Sequence, residues 1–215
     1  MGKCKAPTLG GMLLVMATRS PRRRSPSQAD TRWLLAGYAG VAGFFALEAV
    51  TRTPGKASSL AASSDDQGTT RMIVAAYALA AELPLALRRV PVPQLPLIAG
   101  PVGLALLASG LTLRAWSMRT LGASYTRTLR TQSEQRVVDT GPYRLVRHPG
   151  YAGSLLTWTG FALTSRSMPV VAVVGALLGR AYHQRIGAEE KLLQRDLPGY
   201  TAYSTRTKRL APFVW

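Results

Sequence analysis

Between Arg89 and Arg114 no side chain carries a charge. At 1.5 Å of rise per residue, a helix over that run covers the roughly 30 Å hydrocarbon core of a bilayer. In lipid every backbone N–H and C=O must be bonded internally, which leaves helices or closed barrels. The run from Val90 to Leu113 therefore predicts a membrane-spanning helix. Two earlier stretches, WLLAGYAGVAGFFALEAV at 33–50 and MIVAAYALAAELPLAL at 72–87, read the same way. In the first, Gly37, Gly40 and Gly43 form a small-residue stripe suited to close helix contact. The second contains Glu82 and Pro84, and a carboxylate there is expected to face protein or water rather than lipid. Residues 51–71 hold Pro, Gly, Ser and Asp65-Asp66, and read as a loop.

After Leu113 comes a polar segment, 114–149, rich in arginine. Two uncharged runs follow, 150–165 and 167–179, separated only by Arg166. Each is short for an independent span, and together they predict a helical hairpin over 150–179 with its tip near Arg166. Gly175-x-x-x-Gly179 offers it a close-packing face. From Arg180 the pattern is amphipathic, predicting a helix over 180–196 that Leu197-Pro198-Gly199 ends. The aromatic and basic tail, 197–215, suits a membrane interface.

Three regions result: a basic arm over 1–32, expected to be disordered; N-terminal transmembrane helices over 33–113; and a C-terminal region over 114–215. The apolar stretch LGGMLLVMA at 9–17 is too short to span, and arginine-rich sequence follows it where a signal peptide needs a small-residue cleavage site. The expected fold class is all-α, a polytopic membrane bundle of about five transmembrane helices. The basic segments 114–149 and 180–215 share the cytoplasmic side on positive-inside counting. Three spans before Arg114 then put the equally basic N-terminus on the opposite side, against the same rule.

The net charge of +17 raises nucleic acid, anionic lipid and anionic substrates as partners. The arginines mostly flank apolar runs, and aromatics are not interleaved with them as a base-stacking surface requires, which argues against nucleic acid. Cys4 is the sole cysteine, and His148 and His183 are the only histidines, so neither a disulfide nor a metal cluster is expected.

A hairpin brings its ends together. Tyr143, Arg147, His148 and Tyr151 precede this one, and Arg185, Glu189 and Glu190 follow it. These two polar clusters are expected to meet at one membrane face. Helical spacing puts Glu189 on or beside the buried side with Tyr182, Ile186 and Leu193, and makes Arg185 its i+4 neighbour. Read as a surface ion pair, Arg185 and Glu189 are worth only a few tenths of a kcal/mol. Buried, Glu189 requires a cationic partner. A lone histidine at a helix start is more often a structural hydrogen-bonder, and interfacial tyrosines are often anchors.

The stretch VVDTGPYRLVRHPGYAG, a short hairpin, and then RIGAEEKLLQRDLPGYTAY together resemble the isoprenylcysteine carboxyl methyltransferase family and the related membrane phospholipid methyltransferases. The resemblance covers about residues 114–215. It implies S-adenosyl-L-methionine as methyl donor, bound without a Rossmann fold at a site facing the cytosol, and this sequence has no G-x-G-x-x-G fingerprint. By the family pattern Gln135 to Val138, Tyr143, His148, Pro149, Gly150 and Tyr151 would contact the cofactor. Glu189 would take its amino group, and Arg185 would face the methyl acceptor as the catalytic residue. The usual Phe-Gly before the tail is Leu197-Pro198-Gly199 here.

The expected function is carboxyl O-methylation of a lipophilic, isoprenylcysteine-like acceptor in an integral, multi-pass membrane protein. N-methylation of a phospholipid or small lipophile is the alternative within that class. A sterol-reductase-like oxidoreductase using NADPH is a second class. A non-enzymatic scaffold holding membrane lipids through its arginines is a third, and it predicts tolerance of Glu189→Gln and His148→Ala.

Overall fold

The structure is a computed structural model, and it describes residues 28–51, 66–122 and 136–211. Residues 1–27 of the basic arm and Gln135 lie outside the described residues. Among those described, α1 spans Gln28–Val50, α2 Thr69–Ala86, α3 Ala99–Leu121, α4 Pro149–Thr164, α5 Met168–Asp196 and α6 Tyr200–Arg206, and there is no strand. A 3₁₀ turn at Gly141–Arg144 precedes α4.

The first five helices run alternately up and down. Trp33 near the start of α1 lies over Gly100 at the start of α3, and Tyr38 donates its hydroxyl proton to the Ala81 carbonyl late in α2. At the other end Glu48 of α1 meets Arg114 of α3, which reaches Gly150 at the start of α4. The ends of α1 and α3, the starts of α2 and α4, and the described part of the C-terminal tail thus share one end of the bundle. Residues 87–98 and the α4–α5 tip share the other.

Several sequence boundaries shift: α1 and α2 begin at Gln28 and Thr69, and the second hairpin arm and the helix expected over 180–196 are one unbroken helix, α5. The charge-free run does not become one helix from Val90. Residues 90–98 carry three prolines and run without helix, α3 begins at Ala99, and it continues past Arg114 to Leu121. Proline supplies no N–H and restricts the residue before it to extended backbone, so the run starts as a strap. That strap is tied to the hairpin tip: Leu95 N–H donates to the Arg166 carbonyl (2.7 Å), and Arg166 Nη2 donates back to the Leu95 carbonyl (2.8 Å). Arg166 has φ of 56°, a left-handed conformation disfavoured for a side-chain-bearing residue, and these bonds hold it there. The hairpin itself has its tip where the sequence put it. Glu82 is exposed in the last turns of α2, and Pro84 there is buried.

Packing is closest between α3 and α4. A Cβ built on Gly110 meets the Gly153 carbonyl at 2.5 Å, and one on Gly160 meets the Gly103 carbonyl at the same distance. Both contacts are with backbone, so the two helices touch main chain to main chain, the arrangement small residues permit in membrane helices. Gly37 and Gly40 of α1 lie against Thr164 and Leu107, whereas a Cβ on Gly175 or Gly179 of α5 meets nothing within 4 Å among the described residues.

Below this seam Trp158, fully buried, stacks on Tyr77 (4.5 Å, 10°) and meets Phe44 and Phe161 edge-on. Aromatic pairs of this kind each contribute about 0.5–1.5 kcal/mol beyond their buried area. Outside, Leu35, Phe45, Val74, Leu79 and Val173 are exposed. The window Thr31–Val50 in α1 is long and apolar enough to cross a membrane and only 17% of it is buried in the chain. An apolar helix left this uncovered suits lipid contact.

Candidate active site

The end of the bundle that gathers the long connections also gathers the polar residues. His148 is the N-cap of α4, and Pro149 fills the first helical position, where a missing N–H costs nothing. The C-terminal tail clamps this turn: Arg147 N–H donates to the Lys208 carbonyl (2.7 Å) and His148 N–H to that of Arg209 (3.0 Å). Tyr203 donates its hydroxyl proton to the Tyr143 carbonyl at 2.6 Å, which ties the 3₁₀ turn to α6.

The two clusters flanking the hairpin do meet. Tyr151 donates its hydroxyl proton to Glu189 Oε2 at 2.5 Å, and Arg185 Nε donates to the same Tyr151 oxygen at 3.2 Å. His148 Nε2 is 3.3 Å from Glu190 Oε1, and its Nδ1 is 4.0 Å from Glu189 Oε2. The His148 ring stacks on Tyr151, which leans on Tyr182.

The two glutamates play different parts. Glu190 is buried and takes Arg147 Nε at 2.8 Å and Arg209 Nε at 2.9 Å. Burial alone would raise its carboxyl. The hydrogen bonds from His148 and Arg147, and the charges behind them, outweigh that and bring it down to about 2. Arg147 also donates to the Ser204 carbonyl (2.7 Å) and to that of Thr207, so its bonds are structural. Glu189 keeps a quarter of its side chain exposed.

Arg185 is no surface partner. Its side chain is 4% exposed, and its Nη1 donates to Asp66 Oδ1, Thr69 Oγ1 (3.0 Å) and Thr70 Oγ1 (3.0 Å). The Tyr151 hydroxyl bridges it to Glu189. Asp66 is fully buried. Burial works against its charge, but the Thr70 hydroxyl and N–H and the Arg185 guanidinium prevail, and its carboxyl lies below its ordinary value.

A second buried arginine braces the floor. Arg114 Nε donates to Glu48 Oε1 (2.7 Å), and its Nη1 donates to the Gly150 carbonyl (2.9 Å) and Ser154 Oγ (2.6 Å). Its guanidinium sits 5.0 Å from the Phe44 ring centroid, close enough for a cation–π contact. The Gly150 carbonyl is therefore already engaged.

The residues expected at the site thus fall into three groups. Tyr151, His148, Glu189 and Arg185 are brought together. Tyr143, Pro149 and Gly150 lie in the turn and helix start that carry His148 and Tyr151, and Val138 is half-buried in the connector before that turn. Gln135 is outside the described residues. Sequence reasoning missed Asp66, Thr69 and Thr70, which lie in or beside what read as a loop. It also missed the Glu48–Arg114 pair. Arg185 on a buried stripe was a signal: a guanidinium there requires a carboxylate, and the chain has ten acids in all.

Three buried side-chain polar atoms lack a hydrogen-bond partner among the described residues, Trp158 Nε1, Ser167 Oγ and Tyr200 Oη, and the last lies in the field of the two glutamates. The Tyr200 hydroxyl has no hydrogen-bond partner among the described residues, although Tyr200 is 3% exposed. Burial first, then the charges of Glu190 and Glu189, push its ionisation well above the ordinary phenol value, so it remains a donor. A buried unpaired donor costs about 1–3 kcal/mol unless something accepts from it.

The described residues form an antiparallel helical bundle with large apolar side chains exposed along its helices and an arginine, glutamate and histidine cluster at one end, and its first helix is long and apolar enough to cross a membrane. Residues 103–195 match the sequence model of the isoprenylcysteine carboxyl methyltransferase family. A probable protein-S-isoprenylcysteine O-methyltransferase of Oryza sativa subsp. indica is 31% identical over 117 residues, 53% of this chain and 61% of the rice protein. The match thus spans about three fifths of that relative's length. The cobalt-zinc-cadmium resistance protein CzcN of Cupriavidus metallidurans is 33% identical over 76 residues, 35% of each chain. The solved structure of the eukaryotic intramembrane Ras methyltransferase, isoprenylcysteine carboxyl methyltransferase, shares the fold. It superposes with a TM-score of 0.62 at 19% identity, covering 87% of this chain and 69% of that one.

Proposed function

We propose that the chain is a multi-pass membrane methyltransferase that uses S-adenosyl-L-methionine to esterify the carboxylate of an isoprenylcysteine-like lipophile. In this reading α1 to α5 cross the membrane and the site faces the cytosol. The observation that carries it is the union of Tyr151, His148, Glu189 and Arg185 at the hairpin mouth, within the region that matches the family.

The residues suit the donor's charges. Glu189, partly exposed and bonded to a neutral hydroxyl, is available for an ammonium. The unused Tyr200 hydroxyl offers a donor in the same field. By the family pattern Tyr143, His148, Pro149, Gly150 and Tyr151 would contact the donor as well, as would Gln135 and Val138.

When bound, the donor supplies a methyl group: the S–CH₃ bond breaks, its electron pair stays on sulfur, and a carboxylate lone pair forms the new O–CH₃ bond. A carboxylate acceptor is already ionised at neutral pH, so the chain needs no general base. Its task is alignment and exclusion of water. Arg185 would hold the acceptor, which an apolar tail delivers laterally from lipid. Its planar fork matches a carboxylate better than a lysine would.

Calorimetric titration of detergent-purified protein with S-adenosylmethionine and S-adenosylhomocysteine tests the reading. Both are expected to bind. Glu189→Gln is expected to weaken the methionine forms about 10- to 100-fold, the worth of one charge-assisted hydrogen bond. A folded wild-type protein that binds neither, and binds a reduced nicotinamide instead, would overturn it. Turnover of phosphatidylethanolamine in place of a farnesylcysteine analogue would retain the donor and move the acceptor to the amine class.

A further inference from the structure

Asp66 stands 119 residues from Arg185 in sequence, outside the family-matching region, yet is one of its hydrogen-bond partners. The contact is built with care. Asp66 Oδ1 also accepts from the Thr70 hydroxyl (2.6 Å), Oδ2 accepts from the Thr70 N–H (3.2 Å), and the Thr69 hydroxyl bonds the Asp66 carbonyl (2.8 Å). Thr69 and Thr70 then turn their oxygens to the same Arg185 nitrogen. The start of α2 is thus a socket for one edge of a guanidinium, while Tyr151 on α4 takes Nε.

A flexible arginine side chain has many rotamers, and holding it in one costs about 2 kcal/mol of entropy. A socket with three oxygen acceptors meets that cost before any ligand arrives. It also neutralises a charge that would be costly to leave unpaired at 4% exposure. We propose that Asp66, with Thr69 and Thr70, is a positioning residue for methyl transfer: it fixes the Arg185 guanidinium in the orientation that receives the acceptor carboxylate. This rests on the methyltransferase reading above. It adds a requirement in the first half of the chain that donor binding does not share.

The two are separated by reading donor and acceptor independently. In Asp66→Ala, S-adenosylhomocysteine is expected to bind within about twofold of wild type, because the Glu189 and Tyr151 side of the site is intact. The kcat with a farnesylcysteine analogue is expected to fall roughly 100-fold, the scale of a 1 Å misplacement of a catalytic group. Added formate is expected to restore part of it by refilling the socket. Arg185→Lys on the Asp66→Ala background is expected to cost far less than Arg185→Lys alone. Wild-type kcat and acceptor KM in Asp66→Ala would overturn the assignment, as would full additivity of the two substitutions. Should Asp66→Ala not fold, Asp66→Asn and Thr70→Val decide on the same readouts, with formate expected to have no effect on Asp66→Asn. A wild-type protein that binds no S-adenosylhomocysteine would overturn the methyltransferase reading and this assignment with it.

Discussion

Glu190→Ala is expected to destabilise the protein by about 3–5 kcal/mol, the range for removing one partner of a buried ion pair. Its carboxylate serves Arg147, His148 and Arg209, and through Arg147 it joins the hairpin mouth to the tail carbonyls of Ser204 and Thr207. Without it Arg147, whose side chain is 10% exposed, keeps its charge and loses its counter-ion. Thermal unfolding in detergent, followed by intrinsic fluorescence, measures the loss. An acid titration gives the same answer independently. The folded carboxyl titrates near 2 and the unfolded one near 4.5. A depressed carboxyl stabilises the fold above the unfolded value, so that stability is expected to be fully present above about pH 4.5 and to drain away as pH falls toward 2. Asp66, also depressed, adds to the loss in the same direction. Glu190→Gln should flatten the acid limb; an unchanged limb would mean that Glu190 does not carry it.

Gly153→Val is expected to cost about 3 kcal/mol or more, and to leave much of the protein aggregated on size exclusion. A Cβ there lies 2.8 Å from both the Arg114 nitrogen and the Gly110 carbonyl oxygen, and neither can swing aside as a side chain would. The helices must part, and with them the Arg114 contacts to Gly150 and Ser154 that set the start of α4. Gly175→Val is the matched control. Nothing among the described residues lies within 4 Å of its Cβ, so melting is expected to shift little or upward, glycine being a weak helix former. Equal losses at both positions would refute the α3–α4 seam as the determinant.

The contrast between those two glycines shows what a sequence conveys. Gly175-x-x-x-Gly179 is the more obvious motif and packs against nothing among the described residues, while Gly103, Gly110, Gly153 and Gly160 form the working seam between α3 and α4. Spacing within one helix reveals a small face but not its partner. The hairpin and its tip were legible because charge and its absence mark them: one arginine, Arg166, between two apolar runs. The meeting of the clusters followed from that topology. The socket at Asp66 was not legible, because its partner is 119 residues away and Asp66 sits in a stretch, 51–71, that carries no periodic signal. The late start of α3 was signalled by the prolines at 91, 93 and 96, which hydropathy outweighed.

Asp66 and Glu48 have one further consequence, for transplantation. Residues 103–195 look like a portable module, since they carry the family's pattern. Grafted onto the first two helices of a relative, they would arrive with Arg114 and Arg185 buried and both counter-ions left behind. Such a chimera is viable only if its host helices bring an acid to each of the two places. The portable unit of this fold is therefore the arginine together with its distant carboxylate, and the boundary for any exchange of parts runs ahead of Glu48.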